Sequence, residues 1–232
     1  MPEKKLAQIF SLQLVFSSMD AAFKEKITKI CTAAAAAPSG DNSQPWRFVF
    51  RAPDMLEFHA IPEKDNALLN VDDSGTLIAL GTAIQNAELE AKSLGLSPEI
   101  RYNKEGTLVA TFILHKGGGL SETERDLHQA ITLRHSNRKA YKKIPLTKDD
   151  RQFLLDTAEG SVGISFAFVE GEKLMALISR ALTTMEETAL KNKSLHTLFF
   201  QSIFSVVFRR VCQKKRCRYP MKNQQVRYFP LQ

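Results

Sequence analysis

The string "AAAAAPSGDNSQPWRFVF", residues 33–50, leaves little freedom in the fold around it. Consecutive alanines favour a helix, and Pro38 ends it, because proline donates no hydrogen bond and restricts the residue before it. Gly40, Asp41 and Asn42 suit turns and positive φ, and the side chains of Ser39 and Asn42 can bond nearby backbone groups. "WRFVF" then reads as a short strand. Helix, polar loop and strand therefore follow one another without a spacer. Such a loop is either a plain connector or a set of side-chain and backbone donors offered to a polar ligand. The rest of the chain has to decide.

Residues 20–37 form the helix, with Phe23, Ile27, Ile30 and Cys31 on one side. "WRFVF" and "MLEFHAI" pair as a hairpin through "RAPD". Asp72, Asp73 and Ser74 are candidate caps for a long helix. Its positions Leu77, Leu80, Ile84, Ala87, Ala91 and Leu94 form a stripe for burial. Gly95 closes that helix. "EIRYN" and "TLVATFILH" suggest a second strand pair turning at Lys104–Gly106. "KGGGLS" reads as a flexible joint without the residue order of a nucleotide loop, and Ser121 with Glu124 makes a capping box. A helix in "TKDDRQFLLDTAEG", a strand in "VGISFAFVE" and a helix from about Glu172 to Leu190 complete the pass.

The order helix, small-residue turn, aromatic strand occurs twice, in "ITKICTAAAAAPSGDNSQPWRFVF" and in "RQFLLDTAEGSVGISFAFVE". This is a weak internal repeat in which the second copy has lost its polar loop. The expected organisation is an extension at 1–19, a first half at 20–116, an incomplete second half at 121–203 and a divergent tail at 204–232.

A chain of 232 residues, 44% hydrophobic, can bury a core in one domain or two small ones. No run reaches the roughly eighteen apolar residues of a membrane span. The apolar start is broken by Gln8 and Gln13 and has no small-residue cleavage site, so a cytoplasmic location is expected. Cys31, Cys212 and Cys217 make no disulfide framework, which fits a reducing compartment. The scattered histidines argue against zinc.

The net charge of +7 is unevenly placed: ten basic and no acidic residues follow Glu187, which leaves about −3 on the first 187 residues. "LRHSNRKAYKKIPL" is the other unusual string. Arg134, Ser136 and Arg138 alternate, so in an extended segment they share one side and can converge on an anion. Arginine's planar fork suits phosphate. Alone, the string is an ordinary solvated basic stretch.

Together, "RHSNRKAY" and "APSGDNSQPWRF" resemble the FMN-dependent nitroreductases, whose members carry an Arg/Ser string and an "A-P-S-x-x-N-x-Q-P-W" loop. "LIALGTAIQNAELEAKSLGL" is similar to the family's long interface helix, and the likeness spans roughly residues 20–200. The order of the two strings is inverted here. In single-copy members two subunits build each flavin site; a fused pseudo-dimer would carry both strings in one chain, as in the longer, internally duplicated Acg-type branch. The resemblance implies an α+β fold with a mixed, mainly antiparallel sheet flanked by long helices in two related halves. It implies that Pro38, Ser39 and Asn42 contact the flavin, that Gln44 supports the loop, and that Arg134, Ser136 and Arg138 hold the ribityl phosphate of FMN.

The expected function is hydride transfer from NAD(P)H through FMN to an electron-poor acceptor, a nitro compound or a quinone. No catalytic side chain is singled out, since the cofactor carries the chemistry. The alternatives are a non-catalytic flavin-sequestering protein and a degraded paralogue with an interaction tail. The tail itself departs from the family. It reads first as a truncated or frame-shifted end, then as a basic amphipathic segment at an anionic membrane surface. Nucleic-acid contact ranks last, without a binding-fold signature. A monomeric pseudo-dimer or a homodimer is expected.

Overall fold

The computed structural model describes residues 20–51, 53–65, 70–137, 139–140, 144–159, 163 and 165–197. The protein is mixed α and β and divides into two compact units, with residues 20–134 in the first and 135–197 in the second.

The first unit is built from helix α1 (Ala21–Ala35), strands β1 (Trp46–Arg51) and β2 (Met55–Ala60), helix α2 (Ser74–Ser93), strands β3 (Leu96–Tyr102) and β4 (Leu108–Lys116), and helix α3 (Glu122–Leu133). The strands form one antiparallel sheet in the order β1-β2-β4-β3. Both expected hairpins are present, and β3 begins earlier than expected, at Leu96. Pro98 is tolerated because β3 is an edge strand.

Alternation sorts the sheet into two faces. Phe48, Phe50, Leu56, Phe58, Ala110, Phe112 and Leu114 are buried under the helices. Phe58 lies between Phe48 and Phe112, at ring separations of 5.3 and 4.7 Å. The opposite face is mixed, with half-buried Val49, Met55 and Ile113 beside charged residues. Arg51 and His59 share the Glu57 carboxylate there, at 3.3 and 2.9 Å.

Ile27, Ile30, Cys31 and Ala34 of α1 meet Ala79, Leu80, Ala83, Ile84 and Ala87 of α2 in the core. Small residues let the two helices approach closely enough for Asn86 Nδ2 to donate to Ala33 O across 3.2 Å. The buried stripe of α2 runs through Thr76, Ala79 and Leu80, while Leu77 is 51% exposed. Leu77 thus falls off the expected stripe, because the small residues between the larger ones carry the packing. Gly95 closes α2 as expected, at φ 74° with its N–H on Lys92 O.

The triple glycine is not a loose joint. Gly118 has φ +112°, and a β-carbon there would stand 2.7 Å from Leu96 O. Gly117 N–H donates to Gly95 O over 3.1 Å. The glycines let the chain leave β4 against the start of β3. Helix α3 then docks on α2, where Glu124 and His128 reach Lys92 and Glu90 at 2.7 and 2.6 Å. The capping box at Ser121 and Glu124 is complete.

The second unit holds α4 (Lys148–Glu159) and α5 (Glu172–Lys191), both expected. The expected strand in "VGISFAFVE" is not formed at residues 165–170. No strand pairs with it among the described residues, and a lone strand leaves its backbone groups unsatisfied. Side chains hold the segment instead: Arg151 makes a bidentate pair with Glu170 at 2.7 and 2.8 Å and lies over the Phe168 ring. None of the described residues of this unit is buried, and Leu174, Leu177, Leu182 and Met185 of α5 are exposed.

Candidate functional site

The candidate site is the loop that begins at Pro38. Helix α1 runs out through Ala36 and Ala37, whose N–H groups donate to Ala33 O and Ala34 O. Ser39 is extended, and a single 3₁₀ turn, Gly40–Asn42, follows. Asp41, Asn42 and Gln44 have φ of 46°, 58° and 52°. Left-handed backbone costs an L-residue roughly 1–2 kcal/mol, least for Asp and Asn. Gln44 has no such excuse, and residues held this way concentrate at ligand clamps.

Hydrogen bonds hold the conformation. Asn42 N–H donates to Ser39 O and Ser43 N–H to Gly40 O, at 3.0 and 2.8 Å. Gln44 N–H donates to Ser39 Oγ over 3.0 Å, and Gln44 Nε2 reaches back to Ala35 O over 3.4 Å. Gln44 O accepts from Trp46 N–H, and Ile61 N–H donates to Pro45 O. Pro45 and Trp46 are buried, so the loop's far end is fixed in the core. Ser39 and Gln44 therefore support the loop's shape from within. Pro38 and Asn42 are exposed, and the Asn42 carboxamide has no partner among the described residues.

Of the basic string, Arg134 is the exposed C-cap of α3, with extended backbone at φ −61° and ψ 130° and its N–H on Ala130 O. Ser136 is exposed in the second unit. Arg138 lies outside the described residues. Asn137 Oδ1 accepts from Lys139 N–H, a local turn within the string.

Sequence reasoning missed the polar cluster behind the loop. Asp65 accepts from Ser43 Oγ and from Thr76 Oγ1. Asn70 Oδ1 accepts Thr76 N–H at 3.1 Å, so Asn70 caps α2. The residues expected to cap it do not: Asp73 is left-handed at φ 55° and makes no capping bond, and Ser74 Oγ donates to Val71 O. Gly75 leaves room for this arrangement, since a β-carbon there would meet Asn70 Oδ1 at 3.0 Å. The signal in the sequence was the polar residues Asp65 and Asn70 flanking "NALL", which no periodicity marks.

Cys31 is fully buried, which pushes its thiol up and makes it a packing residue rather than a nucleophile. Among the described residues no cluster of His, Cys, Asp and Glu is placed to hold a metal, and no helix is long and apolar enough to cross a membrane. A cavity of about 580 Å³ lined by Phe23, Lys26, Leu96, Leu114 and Lys116 shares no residue with the loop. No family model matches the chain, and no curated protein matches it.

Proposed function

We propose that the chain is an FMN-binding oxidoreductase of the nitroreductase type, a fused pseudo-dimer that passes hydride from NAD(P)H to an electron-poor acceptor. The observation that carries this reading is the Pro38–Gln44 loop: three non-glycine residues held left-handed, with an exposed Asn42 carboxamide that has no partner among the described residues. A ligand edge gains fixed donors and an acceptor from a loop held in this way. The loop is also the stretch in which this chain resembles that family most specifically.

The residues present suit the flavin. A carboxamide offers both donors and an acceptor to the edge of an isoalloxazine, and exposed Pro38 offers an apolar flank. Ser39 and Gln44 keep the loop in shape. Arg134, Ser136 and Arg138 would take the phosphate through charge-assisted bonds. The flavin, when bound, supplies the hydride chemistry, and the chain binds, orients and shields it. The fused arrangement rests on the order of the two strings in the sequence.

Protein purified without added cofactor tests the reading. It should be yellow and oxidise NAD(P)H in the presence of a quinone or nitro compound. Yellow protein without turnover would instead make the chain a flavin-sequestering protein, and colourless protein that takes up no FMN would remove both. Co-refolding Asn42→Ala with Ser136→Ala tests the fused arrangement. No recovery of flavin binding is expected, because each chain carries its own defect; recovery would place the flavin between chains.

A further inference from the structure

Asp65 follows the turn Pro62–Lys64 after β2, and its two carboxylate oxygens are divided between the Pro38–Gln44 loop and the first turn of α2. Oδ1 accepts from Ser43 Oγ, and Oδ2 accepts from Thr76 Oγ1 over 2.5 Å. Ser43 lies between Asn42 and Gln44, both left-handed. Thr76 is 1% exposed in the first turn of α2 and is itself fixed by Asn70, which accepts its N–H and donates Nδ2–H to its Oγ1. The anchored side of this bridge is rigid. The other side is the most strained stretch of the candidate site. A carboxylate accepts only, and hydrogen bonds to it are about twice as strong as neutral ones, so Asp65 suits a fixed tie between two hydroxyls.

We propose that Asp65 is a positioning residue for the Pro38–Gln44 loop. Acting through Ser43, it holds Asp41, Asn42 and Gln44 in their left-handed conformation, so that Asn42 is set before a ligand arrives. Its consequence for flavin rests on the function proposed above; its hold on the loop does not. A loop ordered in advance spares the ligand the entropy of ordering it, and apparent affinity falls with the fraction of competent loop.

The test uses the full chain and the variants Asp65→Asn, Ser43→Ala and the pair. Amide exchange reads the loop directly, because Asn42, Ser43 and Gln44 each donate a protecting N–H bond within it. Exchange at these amides should quicken by about tenfold or more in either variant while the strands keep their protection. The FMN dissociation constant should rise about fivefold to twentyfold in each single variant, and the double variant should be no weaker than the worse single one. Ser43→Ala leaves Thr76 and the core untouched, so it remains informative if Asp65→Asn unfolds. Unchanged loop exchange would overturn the proposal, as would penalties that simply add. If the unmodified protein takes no FMN, the flavin reading fails and the exchange result alone decides for or against Asp65.

Discussion

Lys92 Nζ lies 2.7 Å from Glu124 Oε1 and 2.7 Å from Glu88 Oε1, joining the last turn of α2 to the first turn of α3. Lys92, at the C-terminus of α2, and Glu124, at the N-terminus of α3, each sit at the helix end whose dipole favours them. Lys92 and then the Ser121 N–H hold the Glu124 carboxyl down at about 2, and the carboxylates raise the Lys92 ammonium. A depressed carboxyl stabilises the fold fully above its ordinary value of 4.5 and loses that contribution as pH falls towards 2. The thermal midpoint should therefore fall further in the unmodified protein than in Glu124→Gln between about pH 5 and pH 2. Equal falls would show that the bridge contributes nothing.

Gly118→Ala should destabilise the first unit by about 1–3 kcal/mol in urea unfolding, through strained φ and a clash with Leu96 O. Gly119→Ala is the control. Nothing lies within 4 Å of its β-carbon position, so its effect should stay within about 0.5 kcal/mol. Similar results for both would restore the reading of "KGGG" as a flexible joint.

Asn70→Ala removes the acceptor of Thr76 N–H and should cost about 0.5–2 kcal/mol, the usual range for a lost cap. A variant as stable as the unmodified protein would mean that Asn70 does not cap α2.

Arg134→Ala and Arg138→Ala should each weaken FMN binding by about 1.5–3 kcal/mol, the range for a hydrogen bond to a charged group. Riboflavin, which lacks the phosphate, should lose much less. Equal losses for the two ligands, measured by fluorescence quenching, would remove these arginines from the phosphate.

Helices α1 and α2 and both hairpins were legible because burial imposes a period, and the terminating residues Pro38, Gly95 and Ser121 are chemically distinctive. Leu77 misled because alanines can carry helix packing that larger residues usually advertise. "VGISFAFVE" has strand composition, but a strand needs a partner, and composition does not supply one. The loop itself was legible from Pro38 to Gln44. Its brace was not: Asp65, Asn70 and Thr76 are brought to it by the turn after β2 and the start of α2, and such long-range bonds leave no local pattern.

Titration of the full chain with FMN, followed by flavin fluorescence, tests the central claim most directly. Saturation at one flavin per chain is expected, with Asn42→Ala and Ser136→Ala each weaker by about 0.5–3 kcal/mol. Absence of saturable binding, or Asn42→Ala binding as tightly as the unmodified protein, would contradict the assignment of the Pro38–Gln44 loop to the flavin.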